Sequence, residues 1–127
     1  MSNHRQQLEM AYRKKIKQTQ EVIAKTALDI DRQLVNQTPV DTGRAKSNWI
    51  ATVGVPSSET RESTTPINNE PVYNSAKFGQ KIFITNNLPY IQRLNNGYSA
   101  KAPSGYVDAI VRSAQRKVKD IARVEMK

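Results

Sequence analysis

The residues of this chain that could do chemistry are few, and their spacing assembles no catalytic group. There is one histidine, His4, close to the first residue, in a stretch expected to be a mobile tail. Alone it forms neither a triad nor a metal cluster. Asp29 and Asp31 stand two apart in a segment that reads as helix, so they do not share a face and read as solvated. Asp41 is the one acid inside a motif, Thr38-Pro-Val-Asp-Thr-Gly-Arg44, where capping a short helix accounts for it. The chain has no cysteine, which removes thiol chemistry, disulfides and Cys-ligated metals. It has no Gly-rich phosphate loop, Walker pattern or Glu-x-x-His pair. General acid–base catalysis needs two positioned groups. The expectation is a protein without catalysis, metal or cofactor.

The remaining candidates suit binding. Trp49 reads either as a core residue or as an anchor for another subunit. Tyr90, Tyr98 and Tyr106 surround an Asn-Asn-Gly turn and are interleaved with Arg93 and Lys101. Such a set can pack a subunit interface, pack within the chain, or stack on bases of a single strand. With Tyr12 and Ile16, the residues Trp49, Tyr90, Arg93 and Tyr98 are the candidate subunit interface.

The formal net charge is +9, which favours an acidic surface or nucleic acid as partner over a neutral one. It is unevenly spread. Residues 107–127 hold six basic residues against three acidic, whereas 55–79 hold two against three. Lys101, Arg112, Arg116 and Lys119 are the candidate basic or DNA-facing set. A solvated face that keeps the protein soluble is the plainer reading of the same charges. No apolar run is long enough for a transmembrane helix, and the first residues are polar, so no membrane partner is expected.

These groups must be held by elements, and the hydropathy pattern supplies them. At 127 residues the chain reads as a single domain able to bury a core of its own. Leu8, Tyr12, Ile16, Thr19, Ile23, Ala27, Ile30 and Leu34 recur at spacings of 3 and 4, a narrow stripe predicting one helix over 5–36. At 1.5 Å per residue that helix is roughly 45 Å long, too long to be covered by so small a core. Its first turns are expected to fray or to meet another subunit, with 1–7 as the mobile tail. Pro39 stops it. A short helix to Asn48, with Gly43 in its turn, leads to a strand at 49–55. Residues 55–79 are polar and read as a long arm or loop that orders on a partner. Lys81–Thr85 is a second strand, Pro89 opens a turn, 90–94 is a short helix or bend, and Gly97 ends it with left-handed backbone at Asn95-Asn96-Gly97. Pro103 and Gly105 precede a last helix with the stripe Val107, Ile110, Val111, Ala114, Val118 and Ile121. The fold class is α+β: a long N-terminal helix and a C-terminal helix on a small, mainly antiparallel sheet. Two strands make a marginal sheet, so further strands are expected within 55–79 or from a neighbouring subunit.

The ordered set Thr38-Pro-Val-Asp-Thr-Gly-Arg-Ala-Lys-Ser-Asn-Trp49, an Ile-Phe-Ile strand, Asn86-Asn-Leu-Pro-Tyr-Ile-Gln-Arg-Leu-Asn-Asn-Gly97 and Ala102-Pro-Ser-Gly105 resembles the tail-completion (minor tail, neck) proteins of long-tailed bacteriophages. The match in order and spacing covers about residues 20–124. Two departures stand out: Asn95-Asn96 occupies the place where family members often carry an acid, and the 55–79 excursion is long. The resemblance implies a virion structural protein, made in the host bacterial cytoplasm, that joins head to tail. It implies a ring, hexamer or dodecamer, around the DNA channel, with other neck, connector or tail-tube proteins as neighbours and sequence-independent contact with DNA. A basic DNA- or RNA-binding regulator is the alternative from another class, against which stands the lack of a helix-turn-helix or other recognised module.

Overall fold

The computed structural model describes residues 3–39, 43–96 and 105–126, the stretch 119–126 as backbone alone. The architecture is α+β. Helix α1 spans His4–Gln37, a 3-10 turn spans Lys46–Asn48, strand β1 is Ile50–Val53 and helix α2 is Glu70–Ser75. Strand β2 is Ile82–Thr85, helix α3 is Ile91–Asn95 and helix α4 is Tyr106–Met126.

Helix α1 starts where its sequence can satisfy its first amides. The Asn3 side chain accepts from the Gln6 N–H at 2.9 Å, and the Gln6 side chain accepts from the Asn3 N–H at 3.1 Å. This reciprocal cap makes residues 4–7 the first turn of the helix, where a mobile tail was expected; residues 1 and 2 of that expected tail lie outside the described residues. His4 is therefore helical. At the other end Thr38 turns extended, its N–H and its hydroxyl both donating to the Leu34 carbonyl, and the buried Pro39 follows.

The sheet consists of β1 and β2, antiparallel, with Ile50 opposite Thr85 and Val53 opposite Ile82. Its helix-bearing face carries Ala51, Ile82 and Ile84. Two clusters make the core. Leu34, Trp49, Tyr106 and Ile110 form one, joined by Ile30, Ile91, Leu94 and Val107. Ala27, Ala51 and Tyr73 form the other, joined by Ala24, Leu28 and Val72. Ile84 belongs to the margin of both and ties them together. Burying side chains of this size stabilises by about 1.5–3 kcal/mol each.

Residues 55–69 form a loop, as one of the expectations for 55–79 has it, but the further strand expected there is absent. The segment instead supplies α2, whose Tyr73 is 1% exposed. Nor is the segment an arm that stands off the body, as the hydrogen bonds below establish. Asn95 is not left-handed but helical, and Asn96 has φ −84°. Its side chain does other work. Asn95 accepts from the Val107 N–H at 3.0 Å and donates to Asp108 at 3.2 Å, while its carbonyl accepts from the Gly105 N–H at 2.5 Å. Gly105 takes φ +74° to make that approach. One asparagine thus joins the end of α3 to the first turn of α4.

Candidate interaction surfaces

The polar residues of the chain are used first inside it. Asp31 is 5% exposed, although its spacing to Asp29 reads as a solvated helix face. Its Oδ2 accepts from Tyr73 Oη at 2.5 Å and from Asn69 Nδ2 at 2.9 Å. A buried carboxylate with two donors is held by charge-assisted bonds. Burial, the bond to Asp31 and the charge of Asp31 all push the Tyr73 phenol far above its ordinary range. The same Asn69 amide reads the backbone of β1, donating to the Trp49 carbonyl at 2.8 Å and accepting from the Ala51 N–H at 3.3 Å. Asn69 therefore locks α1, β1 and the start of α2 to one another.

Asn48 does the same for the middle of the excursion. It is fully buried, and its amide pairs with both peptide groups of Arg61. Arg61 in turn donates to the Ser47 carbonyl at 2.7 Å. Arg44 donates to the Arg61 carbonyl at 3.2 Å and meets Glu62 at 3.0 Å. Asn87 donates to the carbonyls of Ser57 and Glu59 at 2.7 and 3.0 Å. Gly43, at φ +74°, lies against Thr64, where an added Cβ would stand 3.1 Å from the Thr64 carbonyl oxygen. The excursion is fastened to its own chain along its length, so no partner is needed to order it.

The proposed site residues separate under this geometry. Trp49 is a core residue, 6% exposed, with its indole N–H donating to Thr38 Oγ1 at 3.0 Å; it offers no anchor to another subunit. Tyr106, buried beside it, places its hydroxyl 3.3 Å from the same Thr38 oxygen. Burial raises the Tyr106 phenol, with the Thr38 hydrogen bond pulling the other way. Tyr90 is half-buried beside Pro39, Arg44 and Leu94, whereas Arg93 and Pro89 are exposed. Tyr90, Tyr98 and Tyr106 do not form one aromatic surface, since Tyr106 faces the core. Asp41, Gly97, Tyr98, Lys101 and Pro103 lie outside the described residues, as does the side chain of Lys119. Arg112 and Arg116 are exposed on α4.

The stripe of α1 divides in two. Ala27 and Leu34 are buried, but Leu8 is 58% exposed, Tyr12 65% and Ile23 45%. The helix runs beyond its core as a projecting arm. Arg13, Lys14 and Lys17 stand exposed around it. Sequence reasoning anticipated this arm and missed Asp31, Asn48 and Asn69. The signal that could have found them is Tyr73, a large aromatic that follows Val72 inside a mainly polar stretch. Among the described residues there is no cluster of three His, Cys, Asp or Glu side chains able to hold a metal, and no helix is long and apolar enough to cross a membrane.

No protein-family model, curated protein or solved structure matches the chain.

Proposed function

We propose that the chain is a structural subunit of the neck or tail top of a long-tailed phage. It completes the tail and joins it to the head as one member of a homo-oligomeric ring around the DNA channel, without catalysis. The observation that carries this reading is the projecting arm of α1, with Leu8, Tyr12 and Ile23 exposed on the face that is core farther along. An apolar stripe that outruns its own domain is satisfied by a neighbour. Heterologous contacts of that kind close into rings when the rotation permits. The ordered turn motifs support the same reading through their resemblance to tail-completion proteins. The positive charge suits a wall beside DNA that positions phosphate without reading sequence.

Light scattering after size-exclusion chromatography, alone and with random duplex DNA, tests it. A mass of six or twelve chains that does not depend on DNA is expected, and the double variant Leu8→Asp/Tyr12→Asp should abolish it while leaving the circular dichroism spectrum unchanged. A monomer that forms a salt-resistant, sequence-preferring complex with a selected duplex would overturn the reading in favour of the regulator.

A further inference from the structure

One oxygen of the carboxylate in the polar interior is left over. Both hydrogen bonds to Asp31 end on Oδ2, from Tyr73 and Asn69. No described residue donates to Oδ1, and Asp31 belongs to no ion pair among the described residues. Every buried side-chain nitrogen or oxygen of the described residues has a hydrogen-bond partner, so Oδ1 is an open atom on a residue only 5% exposed. Aspartate is seldom buried without a counter-charge, because a desolvated carboxylate is costly.

Asp31 lines a cleft of about 200 Å³ between one face of α1 and residues 66–70. Burial sorts its lining by depth. Asp31 and Asn69, the two buried members, mark the bottom. Leu28, Val35 and Ile67 are half-buried and make apolar sides. Arg32, Asn36, Asn68 and Glu70 are exposed and mark the mouth. Neither Glu70 nor Arg32 has an ion-pair partner among the described residues. The carboxylates of Asp31 and Glu70 against the one guanidinium of Arg32 leave the cleft short of a positive charge.

We propose that this cleft binds the side chain of a lysine presented by another protein. The methylenes of that lysine would lie against Leu28, Val35 and Ile67, and its ammonium would reach Asp31 Oδ1 with Glu70 beside it. An arginine suits the cleft less, because a guanidinium pairs best with both oxygens of a carboxylate, and Asp31 Oδ2 is taken by two donors. A metal ion suits it less as well. Calcium takes roughly six to eight oxygen ligands, and no three His, Cys, Asp or Glu side chains of the described residues stand together. The exposed amides of Asn36 and Asn68 at the mouth can bond to backbone on either side of the lysine, which favours a protein over a free amine. This inference does not depend on the ring: a chain of any function could take a lysine here.

Titration of the folded chain with the blocked tripeptide acetyl-Gly-Lys-Gly-amide, followed by heteronuclear NMR, tests it. The side-chain amide of Asn69, bonded to the same carboxylate, is the reporter. Its resonances should shift saturably with the lysine peptide and stay in place with the Nε-acetyl-lysine counterpart, which keeps the stem and loses the charge. Asp31→Asn keeps an acceptor for Tyr73 and Asn69 but turns an amide N–H toward the cleft, and it should weaken binding by about tenfold or more. Glu70→Gln, at the exposed mouth, should weaken it severalfold. Asp29→Asn, on the same helix outside the cleft, should leave it unchanged. Should Asp31→Asn misfold, the acetylated peptide and Glu70→Gln decide. No saturable shift, equal binding of the acetylated peptide, unchanged affinity in folded D31N, or calcium chloride moving the Asn69 resonances where the peptide does not would overturn the proposal.

Discussion

The side chain of Asn48 and the backbone of Arg61 form a closed pair. Asn48 Oδ1 accepts the Arg61 N–H at 2.7 Å, and Asn48 Nδ2 donates to the Arg61 carbonyl at 3.0 Å. A single amide takes the place that a neighbouring strand would otherwise hold, which is how a segment without strand propensity is kept against the body. Replacing Asn48 by Ala leaves both Arg61 peptide groups without that partner, at about 1–3 kcal/mol for a buried loss. Trypsin should then cut after Arg61 at low enzyme concentration, whereas the parent chain should resist. Equal cleavage of both would show that the pair does not hold the segment. By the same reasoning, deletion of Ser57–Thr65 should destabilise the fold strongly. The entropy of loop closure changes only slowly with length, but the bonds from Asn48, Arg44 and Asn87 are lost.

The Asp31 carboxylate holds two donors from a segment 38 and 42 residues away. Asp31→Ala should cost about 3 kcal/mol, since it leaves Asn69 and Tyr73 short of an acceptor in a buried place. Asp31→Asn, which keeps an acceptor oxygen, should cost less. Urea denaturation of the two variants and the parent gives the order directly; an alanine variant as stable as the asparagine variant would contradict it.

The two buried tyrosines make stability depend on alkali. Both phenols are raised in the fold, Tyr73 by burial and Asp31, Tyr106 by burial. A raised phenol is still protonated in the native state when the unfolded chain has begun to release its proton. Their contribution is complete below the ordinary tyrosine value of 10.0 and is lost as pH rises above it. Stability should therefore fall above about pH 10, by up to about 1.4 kcal/mol per unit for each tyrosine. Tyr73→Phe should flatten that slope while lowering stability at pH 7. Denaturation midpoints between pH 8 and 11.5 measure both.

Contact with DNA, where it occurs, should be electrostatic. Replacing Arg112, Arg116 and Lys119 together by Ala should weaken binding of random duplexes and reduce the dependence of affinity on salt by up to about three charges' worth, roughly 0.9 per neutralised phosphate. Titration at two salt concentrations shows the change of slope. An unaltered slope would assign the contact to other cations, those of α1 first among them.

Much of the skeleton could be read from residue order. The bounds of α1 follow from the 3- and 4-residue stripe and from Pro39, and they differ by one residue at each end from the observed His4–Gln37. Both strands lie within their expected ranges, trimmed at the ends, because Ile-Phe-Ile and Ile-Ala-Thr-Val have no competing local preference. The arm of α1 was legible because its length exceeds what a small core can cover. The polar interior was not. Asp31 was weighed against Asp29, its neighbour in sequence, whereas its environment comes from Asn69 and Tyr73. In sequence Asn48 reads as the end of a short helix and Asn69 as one more polar residue of the excursion, but Asn48, Asn69 and Asn87 act over 13, 20 and 30 residues. The low hydropathy of 55–79 reads as an arm or loop that orders only on a partner. Order there comes from side-chain amides bonded to backbone, which hydropathy does not register.

The uneven burial of α1 grades its resistance to opening. A continuous helix of 34 residues is seldom one cooperative unit when only part of it is gripped. From Ala27 to Leu34 an amide becomes accessible to solvent only if Asp31 releases Tyr73 and Asn69, a rupture close to global unfolding. Toward His4 the cost shrinks to breaking a few helical bonds next to a cap. Deuterium uptake along this one helix should rise progressively toward its beginning. The chain thus carries a compliant lever on a rigid fulcrum, able to bend toward a neighbour without disturbing the domain that holds it.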